Sequence, residues 1–302
     1  MKSAAKKDLN FLGLPESLAD LATARVAILC LPLEASTTYG KGTARGPQAI
    51  LAASHQVELY DEELQTTPCE IGISTQQPFA QFEDSIEFSL QQIASECARL
   101  LKMDKFVVGL GGEHSITVGL VQAFQAQFPD LWVLQLDAHS DMRDSYMNSK
   151  YNHACVMARV GEICPFIGVG IRSSLRDEQE ALKGPSRIIY AFEMQQNQAW
   201  PDLVLAHLGD PVYLTIDLDF FDPGIMPSVG TPEPGGFYWH ETLAFLKRVV
   251  QTHTVVGFDV VELRPLPNLS APDFTAAKLV YKLIGYQFAN IVKSGNKKNL
   301  DC

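Results

Sequence analysis

The chain has 302 residues, 46% of them hydrophobic and 20% charged, and 35 acids against 24 bases give a formal net charge of −11. This apolar content supports a large core and excludes disordered and fibrous classes. The acidic balance argues against a nucleic-acid or anionic-membrane footprint and favours cationic ligands or metal ions. Six cysteines (Cys30, Cys69, Cys97, Cys155, Cys164, Cys302) form no C-x-x-C pair, so neither a disulfide framework nor a structural zinc site is expected. The opening MKSAAKKDLNF has bases but no apolar run behind them, and the stretch 26–33 is far too short to span a bilayer. The expectation is a cytoplasmic protein without a signal peptide or membrane contact.

In chain order, the pattern predicts a strand at 25–31 (RVAILCL), then a helix at 82–103 with Ile86, Leu90, Ile93, Cys97 and Leu100 or Leu101 on one stripe. A strand at 105–110 (KFVVGL) leads through two glycines to a helix at 115–128, with Ser115 as its expected N-cap. Strands follow at 131–136 (LWVLQL), 165–169 (PFIGV) and 212–218 (VYLTIDL), then a helix at 241–251. A last strand at 254–261 (TVVGFDVV) precedes a helix at 276–293 carrying Leu279, Leu283 and Phe288. The strands are continuous apolar runs rather than alternating ones, as parallel strands buried on both faces require. Alternation with helices predicts βαβ units and an α/β sandwich. With no repeat or linker, residues 1–302 read as one domain, with flexible ends to about residue 8 and from 293 to 302.

Acidic and histidine residues gather where these strands end. Gly111-Gly112-Glu113-His114-Ser115 follows KFVVGL, Asp137-Ala138-His139-Ser140-Asp141 follows LWVLQL, Asp217-Leu218-Asp219 closes VYLTI, and Glu262 closes TVVGFDVV. In an open parallel sheet the functional crevice lies beyond the carboxyl ends of the strands, so these segments can converge. Along extended chain, side chains two residues apart face the same way about 6–7 Å apart. Asp137, His139 and Asp141 are therefore expected to face one side together, as are Asp217 and Asp219. Buried carboxylates at such density need cations, and two metal ions about 3.5–4 Å apart would supply them. An oxygen-rich set with two imidazoles and no thiolate suits Mn²⁺ better than Zn²⁺, while other divalent transition metals remain open.

The segments GGEHS, DAHSD and TIDLDFFDP resemble, in the same order, the three metal-binding signatures of the ureohydrolase family, which includes arginase and agmatinase. Residues 36–50 (STTYGKGTARGPQAI) are similar to the family's N-terminal loop, 230–236 (GTPEPGG) to its glycine-bearing turn, and 259–265 (DVVELRP) to its acidic substrate-binding segment. The resemblance implies a three-layer αβα sandwich with a mostly parallel sheet of about eight strands. It implies one Mn²⁺ on His114, Asp137, Asp141 and Asp217, and a second on His139, Asp137, Asp217 and Asp219. It also implies that the nucleophile is a water ionised between the cations and oriented by Asp141, that Glu262 pairs with a guanidinium, and that His153 shuttles the proton.

Within the family, arginases carry Asn and Ser after DxHxD, whereas here 142–148 reads MRDSYMN, and 168–172 (GVGIR) resembles agmatinases. Agmatine, a small dication, is the expected substrate, giving putrescine and urea. Guanidinobutyrate, guanidine, arginine and formiminoglutamate are the alternatives. One departure is Ala154-Cys155, where agmatinases read Gly-Thr. By family analogy the chain is expected to form a homo-oligomer, a trimer or hexamer. A non-catalytic relative acting as a regulatory binding protein is a competing reading, disfavoured by the complete ligand set. A binuclear phosphoesterase ranks last, with only Arg143 and Arg172 near the acidic segments as anion ligands. His55, His207, His240 and His253 read as structural histidines, Cys155 as a packed small residue, and Asp222-Pro223-Gly224 as a turn. Glu262 has a second reading as a capping carboxylate or a partner of Arg264. Glu233 stays unassigned.

Overall fold

The computed structural model describes residues 10–77 and 85–298. The apolar runs become strands β1 (Val26–Leu31), β2 (Ile73–Thr75), β3 (Phe106–Gly111), β4 (Trp132–Leu136), β5 (Phe166–Ile171), β6 (Arg187–Tyr190), β7 (Val212–Asp217) and β8 (Val255–Val261). They pair in the order β2-β1-β3-β8-β7-β4-β5-β6, and every pair is parallel. The six strands expected from the sequence are all present. The two that sequence reading missed, β2 and β6, are the sheet edges: one is only three residues long, and the other opens on the exposed Arg187.

The helices are α1 (Glu16–Ala19), α2 (Gly46–Ser54), α3 (Ile86–Lys102), α4 (Ile116–Gln127), α5 (Val156–Ile163), α6 (Arg176–Glu180), α7 (Ala191–Gln196), α8 (Trp200–His207), α9 (Trp239–Thr252) and α10 (Ala271–Lys298). Side chains alternate across each strand, so one sheet face presents Ile28, Leu110, Leu214 and Phe258 to α2, α9 and α10. The opposite face presents Leu29, Val107, Val133 and Tyr213 to α3, α4 and α5. This is the expected three-layer αβα sandwich. Each fully buried Leu, Ile or Phe contributes about 1.5–3 kcal/mol, and both faces are covered by such residues.

Local sequence explains the boundaries. Ser85 caps α3 by accepting a hydrogen bond from the Phe88 amide (3.4 Å), and the expected stripe of Leu90, Ile93, Cys97 and Leu100 is buried. Residues 82–84 of the predicted helix lie outside the described residues. Ser115 does not cap α4: its hydroxyl donates to Glu113 instead (2.6 Å). The terminal helix starts at Ala271, before the expected residue 276, and runs on to Lys298, into the segment expected to be a flexible end. Among the described residues no helix is long and apolar enough to cross a membrane.

Candidate binuclear metal centre

Strands β3, β8, β7 and β4 are consecutive neighbours at the middle of the sheet, and all four acidic segments leave from their carboxyl ends. Parallel pairing therefore brings together residues more than a hundred positions apart. At the end of β3 the chain passes close to the segment after β1: a Cβ at Gly112 would lie 2.1 Å from the Leu33 carbonyl oxygen, so only glycine fits. The next residues place His114, which is fully buried, at the floor of the crevice.

Asp137, at the end of β4, is fully buried, and its Oδ1 accepts from the His139 amide at 2.6 Å. Asp217, the last residue of β7, likewise accepts from the Asp219 amide at 2.9 Å, and Asp219 accepts from the Ala138 amide at 3.0 Å. The convergence is as expected, but its cause differs. Residues 218–220 form a 3₁₀ turn, and Asp141 has a left-handed backbone (φ 53°), so turns rather than extended chain aim these side chains. Glu262 is also left-handed (φ 65°). Such non-glycine residues cost on the order of 1–3 kcal/mol each and persist where the surroundings over-determine them.

His114 Nδ1 lies 3.2 Å from Asp137 Oδ2, 3.1 Å from Asp141 Oδ2 and 3.4 Å from Asp217 Oδ2. It makes a hydrogen bond with none of them, although it is buried. One nitrogen and three carboxylate oxygens thus converge on a common point, the arrangement a cation fills and a ring N–H does not. A second group shares Asp137: His139 Nδ1 is 2.8 Å from Asp219 Oδ2 and 3.8 Å from Asp137 Oδ1. Ligand atoms of His114, Asp137 and Asp141, and separately of Asp137, His139 and Asp219, lie within 4.8 Å of one another. This oxygen-rich set with two imidazoles fits a pair of divalent cations.

The electrostatics give the same picture. Burial, followed by the charges of Asp219 and Asp141, pushes Asp137 up to about 7. Burial also holds Asp217 well above the usual carboxylate range, with the charges of Asp219 and Asp137 adding to it. Burial opposes charge on both histidines, yet the carboxylates outweigh it: His114 is held well above its usual range and His139 at about 11. Asp219 ends at about 2, because the neighbouring His139 overcomes the effect of burial. Protons stand in for positive charge that the cluster demands.

The remaining expected residues line the same crevice, a cleft of about 280 Å³ that includes His153, Glu262, Glu233, Arg143 and Tyr146. Glu262 Oε1 accepts from the His114 amide (2.7 Å), and burial and then the charge of Glu113 push its carboxyl well up. No ion pair joins it to Arg264 among the described residues, whereas its bond to the His114 amide, at the turn that enters α4, is of the capping kind. Glu233 faces His139 Nε2 at 3.9 Å, on the opposite side of that ring from Asp219. In the segment 259–265, Asp259 does not line the cleft. It is buried beneath His114, accepting from Tyr213 (2.8 Å), Thr215 (2.7 Å) and Thr117 (3.0 Å), and Thr215 Oγ1 in turn lies 2.8 Å from His114 Nε2.

Sequence reading missed this supporting layer, including Gln135, which donates to Asp137 at 2.8 Å. Its only signal was a polar residue inside an apolar strand. Arg172 is committed elsewhere, donating to the carbonyls of Gly170, Asp219, Phe220, Phe221 and Glu233. His55, His207 and His253 bond to backbone carbonyls, away from the cluster. Cys155 is buried, its thiol pushed up to about 11 mainly by burial, as a packed side chain would be.

An all-parallel αβα sandwich with two carboxylate–imidazole clusters at its central strand ends defines the ureohydrolase class. The comparisons with known proteins agree: a model of the arginase family matches residues 24–285. The chain is 42% identical over 280 residues to the N(1)-aminopropylagmatine ureohydrolase of Synechocystis sp., covering 90% of this chain and 92% of that one. It is 34% identical to the agmatinase of Pyrococcus horikoshii, with 88% and 93% covered. The agmatine ureohydrolase structure from Thermoplasma volcanium superposes with a TM-score of 0.82 at 28% identity, covering 91% of this chain and 94% of that one. The chain belongs to the arginase family.

Proposed function

We propose that this protein is a binuclear metal-dependent hydrolase that splits agmatine into putrescine and urea, with Mn²⁺ as the working metal. The observation that carries the reading is the convergence of His114, Asp137, Asp141, Asp217, His139 and Asp219 around two shared points, with Glu262 and His153 lining the same cleft. His114, Asp137, Asp141 and Asp217 would hold one cation, and His139, Asp137, Asp217 and Asp219 the other. When bound, the pair supplies a water of lowered pKa and a positive field for the charge that develops on the substrate.

The protein's own residues do the rest. Glu262 Oε1 is occupied by the His114 amide, which leaves Oε2 for a guanidinium; that charge in turn favours the ionised carboxylate against the cost of burial. Asp141 would take up the proton of the attacking water and pass it to the departing nitrogen, and His153 would shuttle protons between that amine and solvent. Glu233 meets the distal ammonium. Arg143 lines the cleft, stacks over Tyr146 at 4.3 Å and lies 3.8 Å from Glu178. Arg172, engaged by five carbonyls, offers nothing to a phosphate.

N(1)-aminopropylagmatine is a second reading, supported by the name of the Synechocystis relative. The test is urea release by the Mn²⁺-loaded protein from agmatine, N(1)-aminopropylagmatine, guanidinobutyrate, guanidine and arginine. Agmatine should give the highest kcat/KM. Urea from none of the five would defeat the reading. Cytoplasmic location accords with the five free cysteines among the described residues. Assembly as a trimer or hexamer rests on the family resemblance, and light scattering of the purified protein measures it.

A further inference from the structure

Glu113 has no place in the chemistry above, yet it is fully buried one residue before His114 and is the most heavily bonded carboxylate near the cleft. Its Oε2 accepts from the amides of Ala35 (2.7 Å) and Ser36 (2.6 Å), and its Oε1 accepts from the hydroxyls of Ser36 (2.8 Å) and Ser115 (2.6 Å). Ser36 then reaches His153: its Oγ accepts from the His153 amide at 2.9 Å and lies 3.2 Å from His153 Nδ1.

A serine hydroxyl has one proton and two lone pairs. The proton of Ser36 is committed to Glu113, and one lone pair to the His153 amide. The remaining lone pair can only accept, so the contact with Nδ1 exists only if Nδ1 carries the hydrogen. An imidazole with its proton on Nδ1 has its lone pair on Nε2, the ring nitrogen with no protein partner among the described residues.

We propose that Glu113 and Ser36 are positioning residues that fix His153 as the Nδ1–H tautomer, with Nε2 ready to exchange protons with the substrate. The proposal rests on the reading of His153 as the proton shuttle in the hydrolysis above. Its structural logic is a fixed carboxylate orienting a hydroxyl, and the hydroxyl orienting the imidazole. It also gives the N-terminal loop a task, since Ala35 and Ser36 lie in the connection between β1 and α2 and dock on the turn after β3.

The experiment is ¹⁵N NMR of [¹⁵N]histidine-labelled protein loaded with diamagnetic Zn²⁺ at alkaline pH, with His153 identified by the signal lost in His153→Asn. Wild-type protein should show His153 as a single Nδ1–H tautomer. Ser36→Ala should convert it to a mixture, lower kcat for urea release about tenfold, and leave KM and metal content unchanged. Ser36→Thr keeps the hydroxyl and should restore both tautomer and kcat. An Nε2–H or mixed tautomer in wild-type protein, or an unchanged tautomer in Ser36→Ala, would overturn the assignment; the wild-type spectrum decides it even if Ser36→Ala fails to fold. A wild-type protein that releases no urea would instead defeat the hydrolase reading, whereas the His153 tautomer is read from the spectrum independently of activity.

Discussion

At the scale of single residues, Asp137 is the pivot, because its carboxylate lies within 4.8 Å of the ligand atoms of His114 and Asp141 and also of those of His139 and Asp219. Asp137→Asn should abolish urea release and leave less than full metal occupancy by elemental analysis; two retained ions per chain would contradict its place. Glu233 is a contrasting case, since its carboxylate faces the cleft at the far side of the His139 ring. Glu233→Gln should keep both metals and raise KM for agmatine about tenfold, the value of one charge-assisted contact of about 1.4 kcal/mol, while leaving KM for n-butylguanidine unchanged. Equal effects on both compounds would remove the ammonium contact. Beneath the ligands, Thr215 links His114 to the buried Asp259. Thr215→Val should weaken metal affinity about 10–100-fold, as expected when a ligating imidazole loses the group that orients it. Titration of metal binding measures this directly.

At the scale of elements, the long helix α10 is tied to the rest of the protein by a charged contact as well as by its apolar face. Lys282 Nζ, itself buried, donates to both oxygens of the fully buried Asp61 (3.0 and 2.9 Å) and to Glu63 (2.6 Å). Burial acts to raise the Glu63 carboxyl, but its bonds with Lys247, Lys282 and Tyr286 win and hold it at about 2. A carboxyl depressed on folding stabilises the protein above its unfolded pKa of about 4.3, and that stabilisation is lost as pH falls toward 2. Glu63→Gln should therefore lower Tm at pH 7, and the gap from wild type should close between about pH 4 and pH 2. A gap that stays constant over that range would show that the contact does not contribute this way. The elements themselves were readable where periodicity was strong: β1, β3, β4, β5, β7 and β8, and α3 and α4, follow directly from apolar runs and stripes. The edge strands β2 and β6 were not, because a short edge strand buries too little to leave a pattern. The short helices α2, α6, α7 and α8 were missed for a related reason: their packing, more than their own sequence, holds them in place.

At the scale of the whole molecule, the sequence carried the ligands but not their support. Acids and histidines at strand ends were visible because unpaired charge in such places is costly. The layer of Gln135, Thr215, Tyr213 and Asp259 was not, because each is an ordinary residue until the sheet order β3-β8-β7-β4 sets it beneath a ligand. The same order joins the two halves of the chain at the cluster, so metal and fold should be linked. Chelation should lower Tm by several degrees, and Mn²⁺ should restore it, since a ligand at 100 times its Kd adds about 2.7 kcal/mol to stability. The central claim is that two cations share Asp137 and Asp217 at the middle of this sheet. Anomalous diffraction from crystals grown with Mn²⁺ tests it most directly. Two peaks are predicted, one within ligating distance of His114 Nδ1 and Asp141, the other of His139 Nδ1 and Asp219. Absence of peaks at these side chains, or a single ion bound elsewhere, would contradict the account.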